Sequence, residues 1–348
     1  MLWQGKKSLL LLVFFTETCA TILLTDFFSR THNYLRISLT DNCNLRCFYC
    51  MPDEDIACTP NAAMMSPDEI VQLADIFVNL GVNKIRLTGG EPLVRKEFAH
   101  ILSRLSTLPV ELTLTTNGIL LDKHIDALKQ AGVRSLNISL DTLNRDKFTL
   151  LTRRDQLQKV LENIELCLQQ GLHTKVNVVV MKGINENEIT DFVQWSIDKP
   201  LHIRFIEFMP FAGNRWMPEK VYPMQQILSD IEARYKFISL GKEPHATARK
   251  FFVEGSQGSF SVISTMSHPF CGDCNRLRLT ADGKMRNCLF ASTEADLLSA
   301  LRKGEPVQPL IEATVKAKKE MLGGQFNADF EKIDPERLQN RSMISIGG

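Results

Sequence analysis

Two groups of cysteines carry the chemistry of this chain. Cys43, Cys47 and Cys50 are spaced C-x3-C-x2-C, and Cys271, Cys274 and Cys288 are spaced C-x2-C-x13-C. Thiolates are the usual protein ligands of iron–sulfur clusters. Three close cysteines suit a four-iron cubane in which one iron carries no protein ligand and is open to a small molecule. A structural zinc normally takes four nitrogen or sulfur ligands. For the first group the nearest fourth is Cys58, eight residues on, which argues against zinc. For the second group His268 is near enough to be a fourth ligand, so spacing alone leaves zinc and cluster both open.

Other polar residues stand where a ligand would meet them. Gly89-Gly90-Glu91-Pro92 follows an expected strand; two glycines permit close backbone approach, with free N–H groups facing a ligand. Thr115 and Ser139 end later strands, where turn formation is the plainer role. Arg36, Lys84, Arg86, Lys175, Arg276 and Arg278 sit at strand positions, with Lys84 and Arg86 on one face and Arg276 and Arg278 on one face if extended. Cations on core-facing positions are costly unless paired. They would pair with Glu91, Asp141 or Glu207, or would share a polyanion, for which Arg offers bidentate contacts.

The elements that hold these residues alternate. Strands are expected at Tyr34–Thr40, Lys84–Thr88, Glu111–Thr116, Ser135–Leu140, Lys175–Met181 and Ile203–Met209. Helical patterns separate them, the first opening on Ser66-Pro67-Asp68-Glu69 as cap, first-turn proline and acids. A helical stretch from about Arg145 to Gln170 breaks near Thr152-Arg153-Arg154-Asp155. Such βα alternation means parallel strands with helical crossovers, in an open doubly wound sheet or an incomplete barrel. Past residue 221 the pattern changes to a helix over Tyr222–Arg234, short strands around Gly255 and Gly258, and two further helices over Leu297–Arg302 and Leu310–Met321.

Composition excludes several classes. With 348 residues, 44% hydrophobic and 23% charged, the chain is an ordinary globular protein of one large or two medium domains. A net charge of +1 gives no global field for nucleic acid or anionic membrane. Six of nine cysteines fall in the two groups, which favours metal in a reducing compartment over a disulfide framework. Lys6-Lys7 and the apolar run from Leu9 to Phe15 read like the start of an export signal, but the run is too short to span a bilayer. Residues 1–24 are therefore expected to be a non-native or disordered extension, with the core at 25–221 and a second domain at 222–348.

The first cysteine loop, with Tyr49 before its third cysteine, resembles the signature of radical S-adenosylmethionine (SAM) proteins, and Gly89-Gly90-Glu91-Pro92 resembles their GGEP motif. From Thr25 onward, the chain resembles the GTP 3′,8-cyclase family of molybdenum cofactor biosynthesis. The resemblance is carried by Leu35–Thr40 with the cysteine loop, Arg86–Leu93, Thr115–Gly118, Arg204–Met209, Cys271–Arg278, Cys288 and the terminal Gly347-Gly348. It implies an α/β fold, an incomplete (β/α)6 TIM-type barrel closed by a C-terminal domain with a second cluster. It implies that Cys43, Cys47 and Cys50 hold the [4Fe-4S] cluster that binds SAM, and that Cys271, Cys274 and Cys288 hold a second [4Fe-4S] cluster facing substrate. Tyr49, Gly90, Ser139 and Met209 match SAM-contacting positions. Arg36, Arg86, Thr115, Lys175, Arg276 and Arg278 match GTP-contacting positions, and Arg36, Arg276 and Arg278 are the catalytic candidates. The tail would reach the active site beside an arginine.

The implied reaction cleaves SAM to methionine and a 5′-deoxyadenosyl radical, which abstracts the ribose C3′ hydrogen of GTP; closure onto C8 gives 3′,8-cyclo-7,8-dihydro-GTP. The implied partners are GTP, a reductant such as flavodoxin or ferredoxin, the cyclic pyranopterin monophosphate synthase that takes the product, and a possible second copy in a homodimer, with no nucleic acid or membrane and a cytoplasmic location. A radical SAM peptide-modifying enzyme is the alternative, although such enzymes usually carry more C-terminal cysteines. A non-enzymatic nucleotide or iron sensor is the remaining class, and release of 5′-deoxyadenosine on adding GTP separates it from the enzymes.

Overall fold

The structure, a computed structural model, describes residues 23–51, 58–326, 329–334 and 337–347. Nearly all of the expected N-terminal extension, together with Cys19 and Gly348, lies outside them. Six strands, β1 (Tyr34–Ser38), β2 (Lys84–Thr88), β3 (Glu111–Thr116), β4 (Ser135–Ser139), β5 (His173–Val180) and β6 (His202–Glu207), pair in parallel in chain order. Helices α1 (Pro67–Asn79), α2 (Phe98–Leu105), α3 (Leu121–Gln130), α4 (Arg145–Thr152), α5 (Leu157–Gln169) and α6 (Ile189–Ile197) lie in the crossovers. Among the described residues no helix is long and apolar enough to cross a membrane.

The remaining chain extends the same sheet at both edges. After α7 (Met224–Glu232), strands β7 (Phe237–Ser239), β8 (Arg249–Val253) and β9 (Ser259–Ile263) form an antiparallel unit whose β9 runs parallel to β6. Then β10 (Arg276–Leu279) pairs in parallel with β1, and β11 (Lys284–Arg286) and β12 (Ala295–Asp296) follow antiparallel. Helices α8 (Leu297–Arg302), α9 (Gln308–Lys316) and the short α10 (Met343–Ile346) complete the chain.

Alternation along the strands splits the molecule into two environments. Leu35, Ile37, Ile85, Leu87, Leu114, Ile138, Val176, Val178, Ile203 and Phe205 are buried against the helices and form the main core. The other face carries Tyr34, Arg36, Arg86, Asn137, Lys175 and Arg204, and it is shielded too: Arg86 is 5% exposed, Asn137 is buried and the others are half-buried. The reason is curvature. Asn137 of β4, with its amide oxygen turned toward the guanidinium groups, accepts from Arg86 of β2 and Arg204 of β6, both at 3.2 Å. In a flat sheet β2 and β6 would lie about 19 Å apart, so the sheet curls until its polar face becomes an interior.

Local rules fix the ends of the elements. Ser66 and Glu69 form both halves of a capping box at α1. The break between α4 and α5 occurs at Arg153, in the left-handed region at φ 56°. That break has a use: the carbonyls of Thr152 and Leu151 accept from the backbone N–H groups of Arg46 (2.9 Å) and Phe48 (3.1 Å), pinning the first cysteine loop.

Candidate active site

The first cysteine loop follows β1 and lies over the C-terminal ends of the parallel strands, where ligands bind in such folds. Cys43, Cys47 and Cys50 line one cavity with Tyr49, Gly89, Gly90, Thr115, Asn117, Ser139 and Asp141. It surrounds about 810 Å³ of space, part of it open to solvent. Burial and the neighbouring Glu91 carboxylate push the Cys43 thiol up to about 11, and burial with the other thiols and Asp141 pushes Cys47 and Cys50 up as well. Thiols placed so ionise when a cation arrives to share their charge, which fits an iron cluster. Among the described residues no three His, Cys, Asp or Glu side chains converge on a single ion; a cubane spreads its thiolates over separate irons.

The glycine pair differs from expectation. Gly90 N–H donates to Thr40 O at 2.7 Å and Glu91 N–H to Asn42 O at 2.8 Å, so these donors are used within the protein. A Cβ on Gly89 would meet Thr40 O at 2.5 Å, and one on Gly90 would meet Asp41 O at 2.7 Å. The glycines let β2's end dock on the cysteine loop. Glu91 is fully buried, accepting from Thr116 Oγ1 (2.7 Å), Asn117 N–H (2.6 Å) and Leu93 N–H (3.0 Å). Tyr49 donates to Asp141 at 2.5 Å, and Asp141 accepts from Val179 N–H at 2.9 Å. Ser139 lines the cavity. Met209 packs, as Tyr49 does, against the cluster that holds Phe208 and Trp216.

Below the cavity the interior is cationic. Arg36 pairs in register with Arg86 and Arg278, and Tyr34 with Arg276. Arg86 donates to Tyr34 Oη, to Leu114 O at 3.0 Å and to Thr115 Oγ1 at 3.4 Å. Burial, with Arg86 and Arg276 nearby, lowers Arg36 to about 10; burial with Arg204 and Arg86 lowers Lys175 to about 8. Tyr34 moves the other way: burial opposes its ionisation, but Arg86, Arg36 and Arg276 bring the phenol down to about 7. The expected ion pairs with Glu91, Asp141 and Glu207 are not what balances these charges. Lys84 pairs with Glu111 at 2.8 Å, while Glu207 accepts backbone N–H groups of Met224, Met266 and Ser267. Arg204 Nε and Arg276 Nη2 are buried with no hydrogen-bond partner. Arg204 is a site candidate that sequence reading passed over, although the alternation of His202-Ile203-Arg204-Phe205 gave its face.

The second cysteine group closes the far side of this interior. Burial raises the Cys271 thiol, and Cys288 and Cys274 are near enough to add to that rise. Burial would raise the half-buried Cys274 thiol, yet Arg276 and Lys318 outweigh it and bring the thiol down to about 7. His268 turns toward Ser267 Oγ at 3.1 Å. The tail enters here: Gly347 O accepts from Arg278 Nη1 at 2.7 Å, and Met343 and Ile344 line the first cavity. Gly347 has φ 78°, and a Cβ there would meet Thr88 Oγ1 at 2.6 Å.

Residues 37–196 match the Radical SAM superfamily and residues 201–322 match Molybdenum Cofactor Synthesis C. The solved structure of Streptococcus suis SuiB bound to S-adenosylmethionine has the same fold, with TM-score 0.58 at 15% identity over 84% of this chain and 69% of that one. Fold and thiol-lined cavity thus define a radical SAM protein. GTP 3′,8-cyclase, mitochondrial, of Arabidopsis thaliana is 46% identical, covering 94% of this chain and 84% of its own length. GTP 3′,8-cyclase of Listeria monocytogenes is 41% identical, covering 94% and 99%. The chain belongs to the GTP 3′,8-cyclase family of molybdenum cofactor biosynthesis. It spans about half the length of relatives named molybdenum cofactor biosynthesis protein 1, such as the human one at 43% identity.

Proposed function

We propose that this protein cyclises GTP to 3′,8-cyclo-7,8-dihydro-GTP, the first step of molybdenum cofactor biosynthesis. The observation that carries it is one interior, lined by Arg36, Arg86, Lys175, Arg204, Arg276 and Arg278, with three thiols at each of two sides. Cations gathered this closely lower one another's affinity for protons, and a polyanion among them would offset that repulsion. The sheet is read as the incomplete (β/α)6 barrel of radical SAM proteins, and the part after residue 221 as its substrate-side closure.

Cys43, Cys47 and Cys50 would hold the SAM-binding [4Fe-4S] cluster, and Cys271, Cys274 and Cys288 the second. When bound, the first cluster supplies the electron that splits SAM into methionine and a 5′-deoxyadenosyl radical. The protein's own part is placement. Tyr49, fixed by Asp141, and the backbone at Gly90 with Ser139 hold SAM over the strand ends. Arg86, Lys175 and Thr115 anchor the triphosphate. Arg36, Arg276 and Arg278 hold ribose and base so that C3′ faces the adenosyl carbon and C8 lies within bonding reach of C3′. The hydrogen leaves C3′ for that carbon. Closure of C3′ onto C8 leaves an unpaired electron on the base, and one further electron and one proton complete the product. The Gly347 tail, held on Arg278, helps to exclude water.

The electron donor is a low-potential reductant of the flavodoxin or ferredoxin class, and the product passes to a cyclic pyranopterin monophosphate synthase. A homodimer is compatible with this reading. The compartment is a reducing one, the cytoplasm or, following the name of the Arabidopsis relative, the mitochondrion. Anaerobic incubation with GTP, SAM and dithionite tests the proposal. The expected outcome is 5′-deoxyadenosine together with an isomer of GTP joined between C3′ and C8. Abundant 5′-deoxyadenosine with GTP recovered unchanged would overturn it.

A further inference from the structure

The segment before β1 packs behind the second cysteine group, some 240 residues away in the chain, and nothing in the cyclisation scheme uses it. Its centre is buried Asp26. One carboxylate oxygen accepts from the backbone N–H groups of Phe28 (2.9 Å) and Arg30 (3.0 Å). The other meets Arg30 Nε at 2.7 Å and His32 Nε2 at 3.1 Å. Arg30 then donates to the carbonyls of Cys271 (2.8 Å), Lys319 (2.8 Å) and Glu320 (2.7 Å), tying the loop after α9 to the first cysteine of the group.

His32 is fully buried. A carboxylate can only accept, so Nε2 carries the imidazole proton and Nδ1 is left as an acceptor. Lys318 Nζ stands 3.5 Å from that Nδ1, 3.5 Å from Cys274 Sγ and 3.0 Å from Arg276 O. Lys318 is 3% exposed. Three acceptors surround its nitrogen, and an ammonium has three hydrogens to give them. A lysine so placed is a fixed charge beside one ligand sulfur.

We propose that Lys318 is a positioning residue of the second cluster site, holding one positive charge and an N–H···S bond on Cys274, with His32 and Asp26 fixing where that charge stands. The inference rests on the reading that Cys271, Cys274 and Cys288 carry a cluster. Hydrogen bonds to ligand sulfurs and nearby charge set cluster potentials. A cation on Cys274 stabilises the more negative, reduced state, and it draws density from the sulfur, leaving the open iron a better acceptor for a base nitrogen or oxygen.

The test uses the full chain with Cys43, Cys47 and Cys50 all changed to Ala, reconstituted anaerobically, so that iron content and electron paramagnetic resonance report the second site alone. Lys318→Met should shift the one-electron equilibrium at least tenfold toward the oxidised state, a potential about 59 mV lower. Lys318→Arg should stay within threefold of the parent, and His32→Ala and Asp26→Asn should shift it in the same direction by less than Lys318→Met. Lys318→Met with full iron and an equilibrium within twofold of the parent would overturn the role. If Lys318→Met assembles no cluster, His32→Ala decides: a threefold or larger shift supports the role and no shift overturns it. If the parent itself takes up no iron, the second-site reading fails, and this role with it.

Discussion

The two cysteine groups use the same ligand in opposite surroundings. Around Cys43, Cys47 and Cys50 the charged neighbours are mainly Glu91 and Asp141, and burial with these carboxylates raises the thiols. Around Cys274 the neighbours are Arg276 and Lys318, which outweigh burial and lower it. An electron-rich metal centre is disfavoured in the first setting and favoured in the second. The first suits a site that must give an electron to SAM, and the second suits a site facing an anionic nucleotide. One sheet provides both because its loops at the strand ends carry carboxylates while its curled interior carries cations.

Removing one ligand from each side breaks the comparison most sharply. Cys43→Ala should lose about four irons per chain and all 5′-deoxyadenosine formation. Cys271→Ala should lose about as much iron yet keep some uncoupled SAM cleavage with no cyclised product. Iron analysis and chromatography of both variants check this. Cyclisation at the normal rate by Cys271→Ala would contradict the division of labour. Gly90→Ala comes next: the added Cβ collides with backbone oxygens of the cysteine loop, where neither partner is a flexible side chain. It should cost the first cluster and leave the second, seen as halved iron content with the second site's resonance signal intact.

Arg204→Ala should act on the cationic side alone. Losing one charged contact to GTP costs about 2 kcal/mol, or roughly thirtyfold in GTP affinity, while SAM binding to the same variant stays unchanged. Calorimetry with each ligand checks the pair, and equal loss of both would mean that Arg204 supports the fold and not the substrate. The smallest effect is on stability. His202 is buried between Ser259 and Ser261 hydroxyls, and burial with Arg204, Lys175 and Lys250 lowers it from 6.5 to about 2. Below pH 6.5 the unfolded chain takes up a proton that the folded chain refuses, so stability falls on acidification. The contribution is about 2 kcal/mol between pH 6.5 and 5. Denaturant midpoints of His202→Asn should be flatter over that range than those of the parent.

Much of this was legible in the sequence because the determinants are local. Cysteine spacing, the capping box at Ser66, the period-two alternation and the helix break near Thr152 each depend on a few neighbouring residues. The arrangement after residue 221 was not. Strands β9 and β10 join opposite edges of one sheet, and no local pattern tells a short strand which edge it will find. The glycine pair was legible as a close approach but not its partner, which is the cysteine loop's own backbone. The N-terminal segment reads as a plain lead into β1, and Arg30 finds Cys271 only through the fold. Arg204 was hidden for another reason: a lone arginine in an apolar strand takes its meaning from Asn137 and Arg86, two strands and more away.

The most direct test of the account uses GTP deuterated at the ribose C3′ position. After anaerobic turnover with SAM and reductant, the deuterium should appear in 5′-deoxyadenosine and be missing from the cyclised nucleotide. Unlabelled 5′-deoxyadenosine, with the label still on the nucleotide, would contradict it.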